Sequence, residues 1–253
     1  MMSVPTIYAV RMDNCSVQVN LERIERWSAL VPVARAMRVA RFRHWEDQWR
    51  SLSGNMIVNY VLREKYKLPV HQMIFTQNEY GKPILLGNEV QFNVSHSGVW
   101  TVAVFHSEAI GIDIEKMVKA DLQLAQSMFT STEYETLINL PEHERDRMFN
   151  MIWTAKESYI KALGKGLAIP LNSFSVVKTA LNVSNFPIAV GTGLKGSGEN
   201  DQVFCIQSVV ESGELESNWK LHQVQLDPDY MLTTCTTSRN CHALIELDAS
   251  QLN

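Results

Sequence analysis

Residues 111–115, Gly-Ile-Asp-Ile-Glu, constrain the fold of this chain more tightly than any other stretch. In an extended strand successive side chains point to opposite faces, so Ile112 and Ile114 enter a core while Asp113 and Glu115 share the other face. Two neighbouring anions on a half-buried strand need a cation. Hard oxygen donors suit magnesium, whose octahedral sphere of about 2.0–2.1 Å is commonly shared with substrate phosphates. The spacing alone leaves open a plainer alternative, a solvated acidic strand.

Around this stretch, strand and helix signals mix without strict β-α-β alternation, which indicates an α+β fold. Residues 6–12 read as a first strand and residues 21–30 as an amphipathic helix. A basic stretch follows over residues 33–52, where Arg35, Arg38, Arg41, Arg43 and Arg50 face only Glu46 and Asp47, a local charge of +3. Arg35 and Arg38 are i, i+3 neighbours on a helix and can present guanidinium groups to one anionic ligand, although a solvated helix face is the alternative. Residues 55–66 predict a core helix, and 75–90 strands around the turn Tyr80-Gly81-Lys82-Pro83. Phe92, Val94 and residues 99–105 read as strands flanking a polar loop, Ser95-His96-Ser97-Gly98, and residues 109–114 as the next strand. Thr130 and Glu133 form a capping box for a helix over about 131–140. Pro141 opens a longer helix through Trp153 to Leu163, with Gly164 as its C-cap. Beyond it, β-like runs recur at 174–177, 186–190, 203–210, 219–225, 230–236 and 243–247.

The 253 residues allow one large domain or two modest ones, and 45% apolar residues suffice for a packed core and exclude disorder. With 23 Lys and Arg against 27 Asp and Glu, the net charge of −4 argues against a duplex-nucleic-acid binder. Cys15, Cys205, Cys235 and Cys241 make no metal-binding spacing and read as reduced thiols of a cytoplasmic protein. Neither a signal peptide nor a membrane span is expected, so the sequons at Asn14, Asn93 and Asn182 carry no weight.

Two further segments carry chemistry. In Trp153-Thr-Ala-Lys156-Glu157-Ser-Tyr-Ile-Lys161-Ala-Leu-Gly164-Lys-Gly-Leu167, Glu157 and Lys161 are i, i+4 neighbours, able to hold a metal and a phosphate side by side. Alone, the pair is equally an ordinary surface ion pair contributing roughly 0.3–0.5 kcal/mol. In Phe92-Asn-Val-Ser95-His96-Ser97-Gly98, the histidine titrates near neutrality and its neighbours offer donors to phosphate oxygens. A Ser-His nucleophile is not supported, because adjacent residues on an extended segment point apart. Gly191-Thr-Gly-Leu-Lys-Gly196 matches a dinucleotide-binding pattern, but the loop-forming residues after it supply no helix N-terminus.

In their order, Gly-Lys-Pro at 81–83, Phe-Asn-Val-Ser-His-Ser-Gly at 92–98, Gly-Ile-Asp-Ile-Glu at 111–115 and Trp-x-x-Lys-Glu-x-x-x-Lys-x-x-Gly-x-Gly-Leu at 153–167 resemble the 4'-phosphopantetheinyl transferases of the Sfp type. The resemblance implies transfer of the phosphopantetheine arm of coenzyme A to a serine of an apo acyl or peptidyl carrier protein, leaving adenosine 3',5'-bisphosphate. It implies magnesium held by Asp113, Glu115 and Glu157, with Glu157 as the base and Lys161 neutralising charge on the pyrophosphate. It further implies coenzyme A contacts from Ser95, His96 and Lys156, from Lys82 near the adenine, and from Arg35, Arg38 and Ser51 at the nucleotide. Family members often carry lysine where this chain has Arg35 and Arg38.

The implied fold is two similar α+β halves, residues 1–107 and 108–253, packed as a pseudo-dimer in a monomeric protein with coenzyme A in the cleft between them. Acidic carriers would dock on a basic and apolar surface for which Lys116, Lys119, Met117, Leu122 and Met128 are candidates. Two competing readings keep the same residues: a coenzyme A binder without transfer activity, and a magnesium-dependent phosphohydrolase. The last 25 or so residues carry no motif of the family.

Overall fold

The isoleucines of the 111–115 stretch find the core that their alternation demands. Ile110, Ile112 and Ile114 are fully buried on strand β6 (Ile110–Lys116), packed against Ile7, Ala9, Val102 and Val104. Those four belong to strands β1 (Thr6–Arg11) and β5 (Trp100–His106) of a different sheet. Two sheets therefore meet face to face over an aliphatic layer. The computed structural model describes residues 4–12, 16–87, 89–176, 203–205, 219–238 and 242–252.

The first sheet has the order β10-β1-β5-β4, where β4 is Gln91–Ser97 and β10 is Ala243–Leu247. The second has the order β6-β9-β8-β7, with β7 at Val203–Cys205, β8 at Lys220–Val224 and β9 at Tyr230–Thr236. Helices α1 (Val17–Ala29), α2 (Val33–Val39) and α3 (Trp45–Glu64) belong with the first sheet, where Trp27, Trp49, Leu52 and Ile57 share a core with Tyr8 and Phe105. Helices α4 (Leu122–Met128), α5 (Ser131–Asn139) and α6 (Glu142–Leu163) belong with the second, where Ile152 and Tyr159 meet Leu221, Met231 and Cys235. A two-stranded hairpin, β2 (Phe75–Gln77) with β3 (Pro83–Leu85), forms a separate small sheet whose Leu85 packs in the first core. The mixed α+β class and the two-halved build stand as the sequence implied.

Local signals explain most helix ends. Ser16 caps α1 through Val19 N, four residues ahead of the expected start. The capping box of Thr130 and Glu133 forms as read, and Gly164 ends α6 in the left-handed conformation. The basic stretch is not one helix: the chain turns between α2 and α3, and α3 begins ten residues before the expected 55, with Glu46 and Asp47 in its first turn where the helix dipole favours anions.

Three differences matter for the site. Ser95, His96 and Ser97 are on β4, not in a loop, because β5 pairs as far as Ser97 with Trp100 and leaves only Gly98 and Val99 to turn. The last strand, β10, leaves the segment that precedes it and pairs in parallel with β1, from Thr6 with Ala243 to Val10 with Leu247. Of the expected 174–177 strand, Ser175 makes only an isolated bridge. The expected run at 186–190, the Gly191–Gly196 pattern, Asn14, Asn182, Cys15 and Cys241 lie outside the described residues. Cys235 is a free, buried thiol, and among the described residues no helix is long and apolar enough to cross a membrane.

Candidate active site

The site begins with a glycine. Gly111 faces α6, and a Cβ there would lie 2.0 Å from Ser158 O and 2.4 Å from Ala162 N. Only hydrogen lets the helix approach β6 this closely. That approach brings Lys161, on α6, to Asp113, two residues along the same face of β6: Lys161 Nζ lies 2.5 Å from Asp113 Oδ1 and 3.2 Å from Ser95 Oγ. Glu157 stands one turn earlier on α6, half-buried.

The cluster is electrostatically incomplete. Burial first, then the neighbouring Asp113 charge, raises the Glu115 carboxyl above its ordinary value, against a hydrogen bond from Ser97 and the Lys161 cation. Burial likewise raises Glu157, opposed by Lys161 and reinforced by Asp113. Asp113 is 2% exposed, and its Oδ2 is buried with no hydrogen-bond partner. An orphaned carboxylate oxygen beside two strained anions fits a hard divalent cation that takes its remaining oxygens from water or phosphate. Among the described residues no three His, Cys, Asp or Glu groups form a ready cage. The donor set fits a magnesium ion held by few carboxylates, not an all-protein site.

Strand alternation divides the Ser-His-Ser motif. Phe92, Val94 and His96 line an open cleft of about 760 Å³, whereas Ser95 and Ser97 point the opposite way, to β6. Ser95 therefore does not join His96 on a ligand in the cleft; its hydroxyl is given to Asp113 Oδ1 at 2.9 Å. His96 retains exposed surface at the cleft yet lies among enough protein to be desolvated. That desolvation, then the cations of Arg50 and Lys161, holds its pKa below the ordinary histidine value, against its own backbone hydrogen bond and Asp47. A neutral ring results near pH 7.

The cleft is also lined by basic residues. Arg35 and Arg38 from α2 and Arg50 and Ser51 from α3 line the cleft. Arg35 donates to Ser51 Oγ at 2.9 Å, its Nε is buried without a partner, and burial followed by the nearby Arg38 charge lowers its pKa. Such a guanidinium is short of one acceptor, which a phosphate oxygen supplies. Arg50 is a lining residue that sequence reasoning counted in the basic stretch without assigning to the site; it is fixed by Gly98 O at 2.7 Å and Asp47 at 2.5 Å. Its adjacency to Ser51 on a helix was the available signal. Arg41 and Arg43 are exposed and do not line the cleft.

Two expected ligand contacts sit elsewhere. Lys156 is fully buried, paired with Glu133 at 2.8 Å and donating to the carbonyls of Leu171 and Phe174. Five residues before Lys161, it leaves the helix on another face. Lys82 places its ammonium on the carbonyls of Ile110, Lys161 and Ala162, at 3.1, 2.7 and 3.2 Å, and burial pushes its pKa down to about 8. It ties the β2–β3 hairpin to the end of α6. Among the docking candidates, Lys116 and Lys119 are exposed, Met117 and Leu122 pack on the second core, and Met128 is partly open; Val118, at 57% exposed, had not been singled out.

Comparison with known proteins supplies the family. Residues 20–108 match the model described as 4'-phosphopantetheinyl transferase, N-terminal, and residues 109–189 match the 4'-phosphopantetheinyl transferase superfamily model. The chain is 40% identical over 172 residues to the 4'-phosphopantetheinyl transferase ffp of Bacillus subtilis, covering 67% of this chain and 75% of that one. It is 39% identical over 171 residues to 4'-phosphopantetheinyl transferase Sfp of Bacillus subtilis strain 168, with the same coverage. A more distant relative is the rat L-aminoadipate-semialdehyde dehydrogenase-phosphopantetheinyl transferase, 26% identical over 210 residues, covering 77% of this chain and 63% of that one.

Proposed function

Because the chain belongs to the 4'-phosphopantetheinyl transferase family, we propose that it moves the phosphopantetheine arm of coenzyme A onto a serine of an apo acyl or peptidyl carrier protein. One observation carries this reading. Arg35, Arg38, Arg50 and His96 line one cleft, and the Lys161 cation close enough to act on His96 belongs to a carboxylate cluster whose Asp113 Oδ2 has no partner. Phosphate-binding cations and a site short of positive charge therefore lie near each other, as a bound pyrophosphate nucleotide requires. In this reading Arg35 and Arg38 take nucleotide phosphate oxygens, Ser51 orients Arg35, and His96 donates to the pyrophosphate.

Asp113, Glu115 and Glu157 would hold magnesium, whose contribution is electrophilic stabilisation of pyrophosphate oxygens. The chain's own groups do the rest. The carrier serine Oγ forms a bond to the β-phosphorus of coenzyme A while the bond from that phosphorus to the bridging pyrophosphate oxygen breaks. Adenosine 3',5'-bisphosphate leaves with the bond pair. The serine proton passes to the Glu157 carboxylate, directly or through a water. Burial, which raises the pKa of Glu157, brings its basicity nearer to the working pH. Lys161, beside the same phosphate position, offsets charge developing on the leaving oxygen.

The test is to incubate the protein with coenzyme A, magnesium and a panel of apo carrier proteins and to measure the mass of each carrier. The expected result is a gain of one phosphopantetheine on at least one of them. No gain on any carrier, or release of free phosphopantetheine without a carrier, overturns the reading.

A further inference from the structure

β4 and β6 are edge strands of different sheets, and they lie side by side without a backbone ladder. An unpaired strand edge presents N–H groups that must find acceptors. Here side chains provide them. Ile112 N donates to Asn93 Oδ1 at 2.9 Å, Ile114 N to Ser95 Oγ at 3.3 Å, and Lys116 N to Ser97 Oγ at 3.0 Å. Every rung joins residue i of β4 to the N–H of residue i+19.

The two serine rungs do a second thing. Ser95 Oγ donates to Asp113 Oδ1 at 2.9 Å and Ser97 Oγ to Glu115 Oε2 at 2.8 Å, each joining residue i to residue i+18. A hydroxyl has one proton and two lone pairs, so it can accept an edge N–H and give its proton to a carboxylate at once. Ser95 is fully used: its second lone pair accepts from Lys161 Nζ. The third rung needs no donor, since the residue 18 after Asn93 is Gly111, and there an amide oxygen is enough. Asn-x-Ser-x-Ser on one edge thus mates position by position with Gly-x-Asp-x-Glu on the other.

We infer that Ser95 and Ser97 are positioning residues that aim the Asp113 and Glu115 carboxylates, and that Asn93 is a structural rung of the same seam without influence on the carboxylates. The inference rests on the reading of those carboxylates as the metal-holding pair. It assigns the two serines to the carboxylates and not to the nucleotide. Ser97 gives the cleaner test, because Ser95 also touches Lys161.

The experiment measures manganese(II) affinity by paramagnetic resonance, with thermal melting and carrier loading in parallel, for the unaltered chain, Ser97→Ala, Ser97→Thr and Asn93→Ala. Ser97→Ala is expected to weaken manganese binding by about 10-fold or more, the size found when a group orienting a metal ligand is removed. Ser97→Thr, which keeps the hydroxyl, restores it. Asn93→Ala lowers the melting temperature and leaves manganese affinity within about 2-fold. If Ser97→Ala does not fold, Ser97→Cys carries the same measurement, its thiol being a poor donor. Equal manganese affinity in Ser97→Ala and the unaltered chain, or equal weakening by Asn93→Ala, overturns the inference. Failure of the unaltered chain to load any carrier sinks the transferase reading instead, whatever the manganese titrations give.

Discussion

Helix α6 carries two lysine–carboxylate pairs five residues apart, and they are built to opposite ends. Lys156 pairs with Glu133 at 2.8 Å with both side chains wholly buried. Every polar atom around them is used: Lys156 also donates to two carbonyls and lies 4.4 Å from the Phe174 ring centroid, while Glu133 accepts from Thr130 N, Val176 N and Ser175 Oγ. Lys161 pairs with Asp113 at 2.5 Å, but its side chain is 27% exposed, Asp113 Oδ2 has no partner, and the Asp113 charge also acts on Glu115 and Glu157, raising both carboxyls. A saturated pair has nothing left to offer a ligand. An unsaturated one, with its net negative charge held by the fold, is poised for a cation and a phosphate.

Glu157→Gln attacks the open pair's surroundings and has the largest expected effect: a loss of about 10²–10⁴-fold in carrier loading, with the melting temperature held or raised because one crowded anion is gone. Near-normal turnover would remove Glu157 from the mechanism. Lys156→Met attacks the closed pair and should cost about 3–5 kcal/mol of stability by stranding Glu133, without changing loading by the folded fraction. Adding Glu133→Gln removes the stranded charge and keeps one acceptor for Thr130 N, but sets its amide NH2 against Val176 N, so it should recover only part of that loss in urea melts. A selective loss of loading at full stability in Lys156→Met would break the comparison.

A third case sharpens it, polar groups closed in with few partners. His222 has neither ring nitrogen hydrogen-bonded, and its ring centroid lies 4.3 Å from that of His242, tilted by 52°; His242 Nε2 meets Thr234. Burial, with Lys220 beside His222 and with His222 and His106 beside His242, pushes their pKa values down to about 4 and about 3; Glu108 faces His106. Because these folded values lie below the unfolded value near 6.5, the unfolded chain binds more protons below pH 6.5. Their contribution is present above that pH and is lost as pH falls towards 4, by up to about 1.4 kcal/mol per unit for each group. Urea midpoints between pH 7 and 5 should fall accordingly, and His222→Phe should flatten the slope; an unchanged slope would refute it. The smallest effect belongs to Ser51→Ala, which frees Arg35 from its 2.9 Å restraint and should raise the KM for coenzyme A several-fold, about 1 kcal/mol, with kcat unaltered.

Much of this was readable residue by residue. The alternation of 111–115, the Thr130 capping box, Gly164 and the i, i+4 pair of Glu157 and Lys161 are local, and local geometry fixes them. Ser95 was misplaced because period-two alternation says that Ser95 and His96 face apart, but not which face meets the cleft. The acceptors of Lys82 were hidden for a related reason: they come from residues 110, 161 and 162, and no local rule names partners so distant in sequence.

By itself, then, the sequence determined the periodicities: a strand with isoleucines on one face and carboxylates on the other, helices with their caps, and an ordered set of motifs that marks the family. Only the tertiary structure decided which of two lysines on one helix is open to a ligand, which serine faces which sheet, and that β10 returns to pair with β1. The physical reason is that a side chain's direction follows from its own backbone, whereas its satisfaction depends on what distant segments bring to meet it. Asp113 is chemically the same carboxylate whether its second oxygen is bonded or orphaned, and packing alone left that oxygen without a partner.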